Sequence, residues 1–229
     1  MPQSEQLMIP TSGGNIPFHR YAPAAPGPLL VIIPSIYGVT SDVVFFAKCF
    51  AADGALVYAI DPFWRTAPGP LHIPNDTEPA LCRKRETTLV NATSDLVATI
   101  DAGRSDPSCN GTAIALGICF GGQPVLRAAK ERHLHGVAVW HGAGLLSVLD
   151  EHSLRDTRIS FDFGEADPLI PLSEVNAIAT VLPKHVANIR THPNAGHGFS
   201  HVGTAKCDEL AANRAQRGVT ELIKVLTER

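Results

Sequence analysis

The segment best suited to chemistry is Ala113-Ile-Ala-Leu-Gly117-Ile118-Cys119-Phe120-Gly121-Gly122-Gln123-Pro124. An apolar run enters G-x-C-x-G-G, and a helix-forming stretch leaves it. That is the strand–turn–helix context of a nucleophile elbow, with cysteine in the place more often held by serine. So sharp a turn requires the flanking glycines, because side chains two before and two after the nucleophile would strike neighbouring elements. The turn is expected to expose the sulfur at the C-terminal edge of a sheet. It also sets Cys119 at a helix N-terminus, where the dipole and free N–H groups favour a thiolate. The Phe120 amide can then donate to an oxyanion. The plainer reading is a small buried thiol beside a glycine-tolerant turn. A dinucleotide loop is excluded, because the second glycine of G-x-G-x-x-G is missing.

An elbow nucleophile needs a base, and the expected chain order is nucleophile, acid, histidine. Phe161-Asp162-Phe163-Gly164-Glu165-Ala166-Asp167-Pro168 offers three carboxylates at the end of a late strand. Asp162 lies inside the strand, which leaves Glu165 and Asp167 in the loop. Asp167, restricted by the following proline, is preferred; by itself an Asp before Pro reads as a turn residue. Thr191-His192-Pro193-Asn194-Ala195-Gly196-His197-Gly198-Phe199 then supplies the histidine. His197, between two glycines, is the expected base, with His192 the second choice. A metal set of His192, His197 and His201 has little support, since glycines interrupt any helix there and H-E-x-x-H is absent. No metal and no cofactor is expected. The second oxyanion donor should come from the loop Pro34-Ser35-Ile36-Tyr37-Gly38, with the Ile36 amide the choice.

Several elements must position these groups. Leu29–Ile33 and Ala55–Ile60 are short continuous apolar runs, as strands buried on both faces require. Thr112–Leu116, Val137–Trp140, Ile159–Phe163 and Val186–Thr191 continue the series. Helices are expected over Val43–Ala52, Glu86–Ala102, Pro124–Arg132 and Asp208–Thr227, and Gly54 suits a helix C-terminus. Strands alternating with helices over the whole length indicate one doubly wound α/β sheet, mostly parallel, with helices on both faces and residues 1–229 forming one domain. The Pro/Gly-rich stretch Thr66–Pro79 reads as a surface loop or lid.

Composition narrows the partners. The chain has 229 residues, 45% of them hydrophobic, which excludes disorder and is enough for a sizeable core. Net charge is −3, and Arg83-Lys84-Arg85 is the only cluster of cations, so nucleic acid is a poor partner. No apolar run approaches the ~18 residues of a membrane span. Five cysteines with no CxxC pair argue against a disulfide framework and a structural zinc site. The N-terminal MPQSEQLMIP has no leader-like pattern. A cytoplasmic protein, monomeric or a small homo-oligomer, is expected.

At this point the residues resemble the dienelactone hydrolase family of α/β-hydrolases. The carrying segments are Ile32–Val39, Ala59–Arg65, Gly117–Gly122, Gly164–Asp167 and Gly196–Phe199. The resemblance implies an α/β-hydrolase fold, Cys119 as nucleophile, His197 as base and Asp167 as its orienter. It implies attack on a small ester or lactone through an acyl-thioester, an oxyanion hole from the Ile36 and Phe120 amides, and no cofactor. Two positions depart from it. Ser35 stands where the lactone-cleaving members carry Glu, and His201 where they carry an Arg that binds the substrate carboxylate. A second such Arg has no clear counterpart, although Arg83 and Arg85 lie nearby. A histidine cannot reproduce the bidentate guanidinium fork, so the substrate either lacks a carboxylate or binds it differently. Ser35, Tyr37, Trp140, His141 and His201 are the expected substrate-facing residues. A ligand-binding protein without turnover and a redox-responsive thiol protein are the competing readings.

Overall fold

In the computed structural model, described for residues 4–149, 154, 156–182 and 187–228, the apolar runs pair into an eight-stranded sheet of order β1-β2-β4-β3-β5-β6-β7-β8. The strands are β1 (Ser4–Thr11), β2 (Gly14–Tyr21), β3 (Gly27–Ile33), β4 (Leu56–Ile60), β5 (Cys109–Ile118), β6 (Gly136–Trp140), β7 (Arg158–Gly164) and β8 (Ala187–His192). The first residue of the last expected strand, Val186, lies outside the described residues. β1 and β2 pair antiparallel, as do β2 and β4. From β4 through β3 to β8 every pairing is parallel.

Parallel strands need crossovers, and helices α1 (Ser41–Ala52), α2 (Thr77–Glu86), α3 (Leu89–Arg104), α4 (Gly122–Glu131) and α5 (Leu172–Val181) lie in them, while α6 (Glu209–Thr227) follows the last strand. Both faces of the sheet are covered, which is why its central strands carry continuous apolar runs. Leu29, Val31 and Ile33 pack with Leu96, Ile100 and Val125 of α3 and α4. The alternate residues Leu30 and Ile32 pack with Phe46, Phe50 and Val219 of α1 and α6.

Three elements are not evident in the sequence. The β1–β2 hairpin is largely exposed on β1 and carries Pro10 and Pro17, so it lacks a continuous apolar run. Helix α2 is polar, and α5 is short. Glu86, expected to open a helix, instead ends α2; α3 begins after Thr88, whose side chain accepts from the Asn91 amide at 3.1 Å. The expected loop Thr66–Pro79 gives its last three residues to α2. The rest is strapped down: the Gly69 amide donates to Asp61, and the Leu71 amide to the Tyr37 carbonyl.

The antiparallel edge is tied to the parallel sheet by Asp106. Its carboxylate accepts from Arg20 Nε at 2.7 Å, Tyr58 Oη at 2.6 Å and the Ser108 amide at 2.8 Å. The Arg20 guanidinium, outweighing partial burial, holds this carboxyl far below the usual range. A depressed carboxyl stabilises the fold above its unfolded pKa of about 3.9, and that stabilisation is lost as pH falls below it. Asp106→Asn should therefore cost about 2 kcal/mol at pH 7 in urea unfolding, with the difference from wild type narrowing below about pH 4.

Candidate active site

Parallel strands in register end together. Ile33 pairs with Gly117, Ile118 with Trp140, Trp140 with Asp162, and Gly164 with His192. The loops after β3, β5, β6, β7 and β8 therefore meet along one C-terminal edge, where open α/β sheets place their sites.

At the end of β5 the chain turns through Cys119–Gly121 as a single 3-10 turn and enters α4. Cys119 has φ of 52°, a left-handed conformation that costs a non-glycine residue about 1–3 kcal/mol. The flanking glycines are explained by distance. A Cβ on Gly117 would sit 2.4 Å from the Gly121 carbonyl oxygen, and one on Gly121 would sit 2.2 Å from that of Ile33.

The Cys119 sulfur lies 3.1 Å from His197 Nε2, and His197 Nδ1 lies 2.8 Å from Asp167 Oδ2. A carboxylate can only accept, so Nδ1 carries a proton, and Nε2 faces the sulfur, with which it shares a second one. The other Asp167 oxygen accepts from the Leu169 amide at 2.8 Å, which fixes the carboxylate. Burial works against a charged His197, but its bonds to Asp167 and Cys119 prevail and push its pKa up to about 9.

The other candidates take different places. Glu165 accepts at the surface from Thr191 Oγ1. His192 donates to Asp162 at 2.9 Å, deep between β7 and β8, where Arg190 also grips that carboxylate. His201 donates through Nδ1 to Asp42 at 2.7 Å. The three histidines thus go to three separate carboxylates and do not converge on one ion. Ser35 is buried, and its hydroxyl accepts from the Tyr37 amide. Tyr37 is also buried, its hydroxyl 2.8 Å from Thr77 Oγ1. Trp140 is corrected outright: its ring packs edge-on against Phe46 at 4.8 Å in the core, so it does not line a pocket. His141 does reach the site. Its ring is fully buried, 5.0 Å from that of His197. Burial, then the charges of His197 and His201, hold its pKa well below 6.5, so it is neutral.

The cavity beside the thiol, about 210 Å³, is lined by Lys84, Thr87, Leu89, Phe120, Gln123 and Ala143. Of these only Phe120 stands out in the sequence, because the α2–α3 junction that supplies three of the others carries no motif. The loop bearing Ile36 is held by Arg83, whose Nε donates to the Ile36 carbonyl at 2.8 Å. Arg83 also donates to the carbonyls of Ala67 and Gly69. A larger cavity of about 650 Å³, with Met8, His19, Asp61 and Trp64 in its wall, contains none of the thiol's partners.

Removing the sulfur removes one of the interactions that favour the His197 imidazolium. In Cys119→Ala, the His197 pKa read by NMR titration should fall by about one unit; an unchanged value would mean the sulfur does not act on the ring.

Comparison with known proteins places the chain in a family. The family model described as "Dienelactone hydrolase family" matches residues 18–227. A carboxymethylenebutenolidase of Pseudomonas sp. (strain P51) is 26% identical over 216 residues, covering 93% of this chain and 91% of that protein. The carboxymethylenebutenolidase of Pseudomonas putida is 24% identical over 185 residues, 79% of this chain and 78% of that one. Among solved structures, a dienelactone hydrolase from Anabaena variabilis superposes with a TM-score of 0.71 at 15% identity, covering 99% of each chain. Among the described residues no helix is long and apolar enough to cross a membrane. With the family model spanning nearly all of it, the chain belongs to the dienelactone hydrolase family, whose members are hydrolases of small lactones or esters.

Proposed function

We propose that this protein hydrolyses a small ester or lactone through a cysteine nucleophile, with Cys119, His197 and Asp167 acting as one unit. The observation that carries the reading is the unbroken chain from sulfur to Nε2 at 3.1 Å and from Nδ1 to carboxylate at 2.8 Å. The proton shared by the thiol and His197 stays on the imidazole as the sulfur attacks the substrate carbonyl carbon. The Ile36 and Phe120 amides receive the developing oxyanion. Collapse breaks the bond to the alkoxide, which leaves with the proton held by His197; in a lactone it stays tethered to the acyl chain. A water then gives a proton to His197 and attacks the thioester. The second collapse frees the acid, and the proton returns to the sulfur. Asp167 holds the imidazole in the one tautomer that serves both halves. No step calls for a cofactor.

The cavity is below the ~300–1,000 Å³ of drug-sized ligand sites, which favours a small substrate. Lys84 gives it polarity. Of three consecutive cations, Arg83 is spent on backbone carbonyls and Arg85 pairs with Glu78, while Lys84 lines the thiol's cavity with its side chain exposed. Lys84 anchors a carboxylate on the substrate, in place of the Arg that His201 replaces. The free cysteines suit a reducing cytoplasm, and the net charge of −3 speaks against nucleic acid.

Turnover of a dienelactone and of a neutral p-nitrophenyl ester should fall at least ~10³-fold in kcat/KM in Cys119→Ala. Activity that survives this substitution rejects the thiol mechanism, and ligand binding without turnover in the wild type favours a binding protein. Lys84→Met should lower kcat/KM for the carboxylated lactone by ~10–100-fold, the value of a hydrogen bond to a charged group. The neutral ester should be cleaved as before; equal losses on both compounds would remove Lys84 from substrate recognition.

A further inference from the structure

His141 is held in a way the hydrolytic cycle does not require. It directly follows β6 with φ of 39°, a strained conformation for a residue with a side chain. Its Nε2 lies 2.8 Å from the buried Ser200 hydroxyl, and its Nδ1 is buried without a partner. A buried polar atom left unpaired costs about 1–3 kcal/mol. One ring nitrogen of His141, one of His197 and the Cys119 sulfur all lie within 4.8 Å of one another.

We infer that Cys119, His141 and His197 form a binding site for a borderline-soft divalent ion, Zn²⁺ above all, whose occupation silences the thiol. Two features support it beyond proximity. The donor set of one sulfur and two imidazoles is what zinc selects, with an open fourth position for water. Each imidazole is oriented through its other nitrogen, His197 Nδ1 by Asp167 and His141 Nε2 by Ser200. That is the outer shell characteristic of metal-bound histidines. The Zn–N and Zn–S lengths of about 2.0 and 2.3 Å set ligand separations of roughly 3.3–3.7 Å. The cluster must therefore close by about one ångström at its widest, with the 3.1 Å sulfur–nitrogen contact opening slightly.

The balance is simple. The sulfur and His197 Nε2 share one proton; metal binding forms bonds to both atoms and releases that proton to solvent. The ion then occupies the space a substrate carbonyl needs. The ligand set does not rest on the hydrolytic reading; only the effect on turnover does.

Cobalt(II) is the probe, because its thiolate complexes absorb in the near ultraviolet. One equivalent should give a sulfur-to-cobalt charge-transfer band in the wild type and none in Cys119→Ala. Affinity for Co²⁺ should drop ~10–100-fold in His141→Gln and in His141→Asn. In saturating Zn²⁺, iodoacetamide labelling of Cys119, read by peptide mapping, should slow at least tenfold, while exposed Cys82 labels as before. That measurement needs no variant and stands if both His141 substitutions fail to fold. Zn²⁺ should stop ester turnover, and a chelator should restore it. A band that survives Cys119→Ala, His141 variants that bind as tightly as wild type, or unchanged labelling of Cys119 would each overturn the site. A metal-free enzyme that turns over no ester, yet shows the band and the protection, would reject the hydrolytic reading and leave this one standing.

Discussion

Everything at the site depends on how closely the elbow backbone approaches β3. Gly121 lies so near the Ile33 carbonyl that a Cβ would stand 2.2 Å from its oxygen, and Gly117 is as tightly set against Gly121. That approach lets β5 pass directly into α4 with no intervening loop, and it forces Cys119 to φ of 52°. The strain is local, and the surroundings hold it: β5 is paired on both sides and buried along its C-terminal half. The sulfur is thus set by the rigid centre of the sheet and does not depend on a flexible loop, the arrangement that gives a reactive group its most exact placement.

Carboxylates fix the rest of the site. Three histidines in ten residues are each bound by a different aspartate: His192 by Asp162, His197 by Asp167 and His201 by Asp42. Each pairing clamps one point of the loop after β8. The outer two clamps are buried and hold the segment against β7 and against the start of α1. The middle pair faces the sulfur. With its neighbours fixed, His197 turns neither toward Asp162 nor toward Asp42, and its Nε2 faces Cys119. This histidine-rich segment thus holds one imidazole that faces the thiol and two buried structural ones, distinguished by burial and by partner.

How legible this was in the sequence follows from the same physics. Central strands carry continuous apolar runs because both faces are covered, and those short runs stand out; the elbow glycines stand out because close approach admits nothing larger. Cys119, Asp167 and His197 could be ordered along the chain because strand ends carry the site. The β1–β2 hairpin could not be seen, since an edge ribbon with one solvated face needs no unbroken apolar run. The wall of the cavity was equally hidden. Lys84, Thr87 and Leu89 come from the α2–α3 junction, where position depends on how two helices pack and no residue type marks the outcome. Trp140 misled for a related reason: adjacent residues on a strand point to opposite faces, and here Trp140 faces the Phe46 side of the core while His141, just past the strand, faces the thiol.

The three cations of α2 show how one helical turn assigns separate duties to residues that look alike in sequence. Successive residues on a helix point about 100° apart. Arg83 therefore faces the body of the protein, where a guanidinium has donors enough for three backbone carbonyls of the loops around Ile36 and Gly69. A lysine there would leave carbonyls unpaired, because its single ammonium cannot span them. Arg85 faces solvent and Glu78. Lys84 falls between them, toward the cavity beside the sulfur, and a flexible stem with one point charge suits a ligand that enters and leaves. The buried guanidinium thus acts as scaffold for the loop that carries Ile36, and the exposed ammonium borders the cavity beside the sulfur. The many-donor cation is committed to the protein and the single point charge to an open cavity wall, which is the division their chemistry favours.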